Sequence, residues 1–157
     1  MSTRSRIGMV QDDGKVIPIY CHWDGYPSNN GAILLKHYTD KEKVARLIAL
    51  GDISCLAEEI EPKDEFGPGR YSDSKDKKVK HTFDTPQAGV VIAYARDRGE
   101  DPETVKPRID ESADTFAYDS DIEEWGYLFK DGKWFVTRGY GDRDLVPLTM
   151  EYITKSE

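Results

Sequence analysis

The chain is poor in cysteine, with only Cys21 and Cys55 among its 157 residues. Two thiols, each in or beside an apolar stretch, do not make a disulfide framework; they suit reduced, partly buried side chains. No apolar run approaches the roughly 20 residues needed to cross a bilayer, so no membrane partner is expected. Residues 1–6 are basic and polar with no apolar segment behind them, which predicts no signal peptide and a cytoplasmic location. Also missing are the phosphate-binding GxxxxGK[ST] loop, GxGxxG, GxSxG and HExxH, so no common catalytic signature is present. Cys21, His22, His37, Cys55 and His81 lack the close CxxC or HxxxH spacing of zinc ligands. No metal and no cofactor are expected.

What the chain does have is charge and aromatic rings. Asp and Glu number 30 against 22 Lys and Arg, a formal net charge of −8. Such a surface repels nucleic acid and anionic lipid. It suits a basic protein partner, or serves solubility alone. Aromatics make up 11% and apolar residues 38%, enough for a core in a chain the length of one domain. A single domain spanning 1–157 is the expectation.

The pattern along the chain predicts α+β. Residues 7–10 and 16–23 read as a hairpin around Asp12-Asp13-Gly14-Lys15, a turn with glycine where positive φ is wanted. Ile17, Ile19 and Cys21 fall on one face, and Pro18, Tyr20 and His22 on the other. Pro18 cannot donate to a ladder, which places its strand locally at an edge or bulge. Residues 24–31 read as a loop and 32–38 as a short helix. A second helix over 41–50 is capped by Thr39 or Asp40, carries Val44, Leu47 and Ile48 on one face, and ends at Gly51. Residues 52–56 suggest another helical turn. Residues 58–80 read as a long mobile loop. The apolar run 90–95 predicts a central strand buried on both faces, and 120–124 a short acidic helix. Asp131-Gly132 joins strands over 125–129 and 133–137. Residues 145–148 and 150–153 read as an edge segment and a last helix, and 138–143 as a turn. The expected architecture is an antiparallel sheet of about four to six strands built from hairpins, packed with two short helices.

Two clusters carry candidate chemistry. The first is Tyr20-Cys21-His22-Trp23-Asp24-Gly25-Tyr26-Pro27, at a strand-to-loop junction of the kind that often builds sites. Cys21 and His22 are strand neighbours on opposite faces, so His22 cannot activate Cys21; a nucleophilic Cys21 needs His37 or His81. His22 and Asp24, two apart, share a face and suit an imidazole with its orienting carboxylate, the weak catalytic candidate. The bland alternative is that Cys21 and Trp23 pack inward while His22 and Asp24 organise the turn. The second cluster is Arg96-Asp97-Arg98, whose two guanidinium groups share a face if the strand runs that far and then clamp an anion. Arg4 and Arg6 repeat the spacing. Ion pairing of Arg96 and Arg98 with Asp97, Glu100 and Asp101 is the structural alternative.

Read together, STRSRIG at 2–8, YCHWDGYP at 20–27, His37-Tyr38, LGDIS at 50–54, the stretch 94–100 and the 127–134 hairpin resemble a family of small uncharacterised proteins encoded by bacteriophages and prophages. The resemblance implies a phage or mobile-element origin and a role outside the virion's main structural parts; the expected location is the host bacterial cytoplasm. It brings no established site residues. The expected function is a phage accessory protein that acts by binding, as an inhibitor of a host defence or regulatory protein. The alternatives are a binder of a phosphate-containing ligand or nucleotide signal and a small enzyme using His22 and Asp24. For the ligand reading, the contact residues are Arg4, Arg6, His22, Trp23, Asp24, Tyr26, Arg96 and Arg98. Self-association into a homo-oligomer stays open.

Overall fold

The computed structural model describes residues 3–62, 80–105, 116, 124–138 and 144–155. The loop expected over 58–80 falls outside the described residues at 63–79. The expected helix over 120–124 and turn over 138–143 do so too, except for Glu124 and Arg138.

The N-terminal hairpin forms as the turn residues predict. Strands β1 (Ser5–Val10) and β2 (Val16–Cys21) pair from Ser5↔Cys21 to Val10↔Val16. Gly14 closes the turn at φ 86, a left-handed conformation that glycine adopts without strain. Pro18 pairs with Gly8. Among the described residues its other side meets no strand, because β3 (Ile53–Cys55) joins β2 at Cys21↔Ile53 alone; that local edge is where a proline fits.

After β2 the chain makes a π-helical turn (Pro27–Gly31) that runs into α1 (Ala32–His37), where a loop was expected. Helix α2 (Lys41–Ala49) starts at Asp40, whose carboxylate accepts the Glu42 amide at 3.3 Å. Val44, Leu47 and Ile48 form its buried face. Gly51, at φ 76, turns the chain into β3. Residues 52–56 are therefore extended rather than helical. Ile53, fully buried beside Cys21, draws the segment into the sheet.

The remaining strands are β4 (Ile92–Ala93), β5 (Trp125–Lys130), β6 (Lys133–Arg138) and β7 (Val146–Pro147). They complete a seven-stranded sheet in the order β4-β3-β2-β1-β5-β6-β7. The sheet is mixed, not antiparallel, and has more strands than expected. Pairs β1·β5 and β2·β3 are parallel. For β2 and β3 the reason is the connection: α1 and α2 carry the chain back to its starting end, so the next strand enters in the same direction. Helices α3 (Tyr94–Arg98), α4 (Pro102–Val105) and α5 (Met150–Lys155) complete the α+β fold. Among the described residues no helix is long and apolar enough to cross a membrane.

The run at 90–95 behaves differently from its expectation. Val90, Val91, Ile92 and Ala93 are all buried, yet only two of them form strand, at the edge of the sheet. Val91 donates to Glu59 O at 2.8 Å, and Glu59 to Gly89 O at 3.1 Å. The run is covered by the segment around Leu56, Ala57 and Ile60, in the same apolar cluster.

Side-chain alternation divides the sheet. One face packs Ile7, Ile19, Cys21, Tyr127, Phe129 and Trp134 against α1 and α2. There the Trp134 indole donates to Tyr38 O at 2.8 Å and the Tyr38 hydroxyl to Ala57 O at 2.6 Å, so both buried polar groups are satisfied. On the opposite face Phe116 packs with Val16 and Leu128. Its ring lies over Gly8, where a Cβ would come within 2.8 Å of Phe116 Cε2; only glycine admits that contact.

Candidate functional site

The densest sequence cluster sits where β2 leaves the sheet. His22 N and Trp23 N donate to Ile53 O and Ser54 O, so the chain follows β3 for two more residues. Asp24 then takes φ 54, an uncommon conformation that Asp and Asn tolerate better than other residues with a side chain. Gly25 N donates to Thr3 O at 2.8 Å, and Gly25 O accepts the Tyr127 hydroxyl at 2.6 Å. A Cβ on Gly25 would lie 2.7 Å from Ser5 Cβ, so the loop can approach β1 this closely only with glycine.

Asn30 anchors the loop from below. It is fully buried and donates to Ser5 Oγ at 3.2 Å and Cys21 Sγ at 3.4 Å. Asn29 donates to Asp24 O and to Asn30 Oδ1. The loop is thus fixed by side chains from three directions. Held on it, Trp23 and Tyr26 remain 43% and 40% exposed.

Cys21 faces the core, as strand alternation predicts. Burial pushes its thiol up to about 12, opposed in part by the Asn30 hydrogen bond. A thiol so placed is neutral at physiological pH and inert as a nucleophile. Neither suggested base reaches it: His37 contacts Glu58 at 3.4 Å, and His81 is engaged with Asp97.

His22 lies on the opposite face from Cys21, but the expected partnership with Asp24 does not form. His22 Nδ1 shares a hydrogen bond of 2.7 Å with the Tyr20 hydroxyl. The turn at Asp24 breaks the strand alternation that would have aligned its carboxylate with the imidazole. Trp23 stands edge-on to His22, ring centroids 4.7 Å apart.

The second cluster is also rearranged. Residues 94–98 are helical, so Arg96 and Arg98 are about 200° apart around the axis and do not form one clamp. The Arg96 guanidinium is consumed internally. Its Nη1 donates to Ile60 O at 2.6 Å and its Nη2 to Val91 O at 2.6 Å. Its Nε donates to Asp97 Oδ1 at 2.8 Å. Asp97 Oδ2 also accepts Ala93 N at 2.7 Å and lies 3.1 Å from His81 Nε2. His81 Nδ1 accepts the Gln87 amide at 3.0 Å, which leaves the ring proton on Nε2, toward Asp97. Arg98 pairs with Glu100 at 3.6 Å and covers the Phe83 ring at 4.9 Å.

At the N-terminus the two arginines separate in role. Arg6 is 3% exposed, donates to Phe116 O and lies 4.7 Å over the Phe116 ring. Arg4 is only partly buried, and its Nε is enclosed with no hydrogen-bond acceptor. The structure therefore brings Arg6, Tyr20 and His22 onto one sheet face and leaves Arg96 and Arg98 on α3, each with partners of its own. Sequence reasoning missed Tyr20 as the partner of His22 and missed the Ser5–Asn30 anchor. The i, i+2 spacing of Tyr20 and His22 was the available signal for the first.

A cleft of about 510 Å³ opens elsewhere, lined by Met9, Asp12, Asp40, Lys41, Phe129 and Asp131 among others. It holds none of the residues expected to bind ligand. Among the described residues no three His, Cys, Asp or Glu side chains are grouped to hold a metal ion. Comparisons with protein-family models, curated proteins and solved structures gave no significant match.

Proposed function

We propose that the protein acts by binding another protein, with the 22–31 loop as the contact surface. The observation that carries this reading is the rigid presentation of Trp23 and Tyr26 to solvent. Exposed aromatics on a preorganised segment bind at low entropic cost and are common anchors of protein interfaces. Asp24, exposed between them in sequence, and the net charge of −8 favour a basic partner surface. The resemblance to phage-encoded proteins makes that partner a host defence or regulatory protein, and the protein its cytoplasmic inhibitor. The inert Cys21 and a His22 ring held by the Tyr20 hydroxyl support binding over catalysis.

The test compares wild-type protein with a Trp23→Ala, Tyr26→Ala double variant as bait in host lysate. A stoichiometric partner that binds wild type, is lost with the double variant and weakens with added salt is the expected result. A partner retained equally by both baits removes the loop from the interface. No specific partner for either removes the reading.

A further inference from the structure

We infer that Asn30 and Gly31 form a self-modification site that the native fold keeps shut, and that opening of the corner converts it irreversibly. The chain has two asparagines, Asn29 and Asn30, and both lie in the π-helical turn Pro27–Gly31. Gly31 follows Asn30 directly. An asparagine before glycine readily loses its side-chain amide, because no Cβ shields the next backbone nitrogen and glycine bends freely toward the side chain.

Among the described residues nothing asks for glycine at 31. Its φ of −59 and ψ of −46 are ordinary right-handed helix, open to any L residue. A Cβ there would lie 3.4 Å from Tyr127 Cε1 and 3.5 Å from Leu148 Cδ1 and Pro27 Cβ, close to normal packing distance. At Gly8 and Gly25 the same atom would come within 2.8 and 2.7 Å of a neighbour. Glycine in a helical stretch is also weaker than alanine.

The native turn blocks the reaction at both partners. Asn30 is fully buried. Its Nδ2 donates to Ser5 Oγ at 3.2 Å and to Cys21 Sγ at 3.4 Å, and its Oδ1 accepts Asn29 Nδ2 at 3.0 Å. The amide is thus tied to β1 and β2 and does not swing toward its own backbone. Asn30 N donates to Tyr26 O at 3.1 Å, and the helical turn points the Gly31 N–H along the axis, away from the Asn30 side chain. Once the turn opens, Gly31 N attacks Asn30 Cγ. The N–Cγ bond forms, the Cγ–Nδ2 bond breaks, and the Gly31 amide proton leaves with Nδ2 as ammonia. Water then opens the cyclic imide at either carbonyl, leaving aspartate or isoaspartate at position 30. Neither product keeps the N–H donors that meet Ser5 and Cys21. Aspartate brings charge to a buried position, and isoaspartate adds a methylene to the main chain, so the 22–31 loop loses its anchor.

This inference does not rest on a protein partner, and purified protein suffices to test it. The protein is held in mildly alkaline buffer, native and in denaturing urea, and peptide mapping by mass spectrometry reads the loss of Asn30. Loss is expected to be slower by about tenfold or more in native buffer, as for a reaction limited by the open population. Gly31→Ala is expected to melt at or above the wild-type temperature and to lose Asn30 in urea about tenfold more slowly than wild type. Asn30→Asp, which carries one product from the outset, is expected to melt about 4 °C or more below wild type, or to fail to fold. Four outcomes overturn the inference: equal loss in native buffer and urea, equal loss in urea for wild type and Gly31→Ala, a Gly31→Ala protein that melts well below wild type, or an Asn30→Asp protein that melts with it.

Discussion

The corner at residues 20–30 and the helix at residues 94–98 look alike in sequence, since both set charged and aromatic side chains at a strand end. In the structure they do opposite things. Around α3, Arg96, Asp97 and His81 satisfy one another and the carbonyls of Ile60 and Val91, and the Asp97 side chain is 3% exposed. At the other corner the polar groups face downward: Asn30, Ser5 and Gly25 are spent on fixing the loop. The aromatic groups are left outward. A charged cluster that closes on itself holds the fold together, whereas an anchored loop with unspent side chains is available to a partner.

The largest effect that separates the two regions is expected at Asp97. Asp97→Ala strips an acceptor from Arg96, His81 and Ala93 N at once, leaving the buried His81 and Ala93 N–H groups short of a partner. A loss of about 3 kcal/mol is expected, measured by urea unfolding. A loss under about 1 kcal/mol would mean that the network adds little to the fold. Next comes Gly25→Ala. The added Cβ meets Ser5 and Thr3 O below 3.0 Å, so the loop must lift. A loss of about 2 kcal/mol is expected, together with weaker partner binding. Binding that survives this lift would show that loop preorganisation is unimportant.

The contrast between regions was partly legible in the sequence. The two hairpins follow from Asp13-Gly14 and Asp131-Gly132, and α2 from the Asp40 cap with Val44, Leu47 and Ile48 on one face. Strand alternation placed Cys21 inward and His22 on the other face. The parallel pairing of β1 with β5 was not legible, because it joins Ile7 to Tyr127 and leaves no local trace in either strand. The strand β3 is three residues long, too short for periodicity to declare. The turn at 94 was overlooked because the apolar run 90–93 resembles a strand that continues. Gly99, at φ 81 in the helix C-cap, was the available sign that a helix precedes it. The site at the corner depended on Asp24 leaving the strand alternation; the turn formers over 24–31 announce a loop there, but not the φ of 54 that Asp24 adopts.

A smaller effect tests the core side of the corner. Cys21 ionises ordinarily near 9.0, and in the folded protein its thiol is pushed up to about 12 by burial. Between those values the unfolded chain has lost a proton that the folded chain keeps. The stabilisation is complete below pH 9 and is lost as pH rises toward 12. At pH 10 the loss is roughly 1 kcal/mol, read as a lower urea midpoint than at pH 8. The hydroxyls of Tyr38 and Tyr127 are raised by burial in the same direction and add to the decline at higher pH. Cys21→Ala is expected to flatten the slope between pH 9 and 10. An unchanged slope would assign it to other groups.

The smallest expected effect is the most discriminating. Trp23 and Tyr26 are large aromatic residues that remain about 40% exposed, and the hydrogen bonds that fix their loop use the backbone, Asn29 and Asn30 instead of the two rings. Truncating both to alanine should change stability by less than about 1 kcal/mol, within the range of surface substitutions. If the rings are there to be met by a partner, the same double variant should cost about 2 kcal/mol or more in binding. Stability and binding then separate at this corner, while at Asp97 a substitution moves stability first. A double variant that unfolds like Asp97→Ala would place the two rings among the supports of the fold and remove the distinction between the regions.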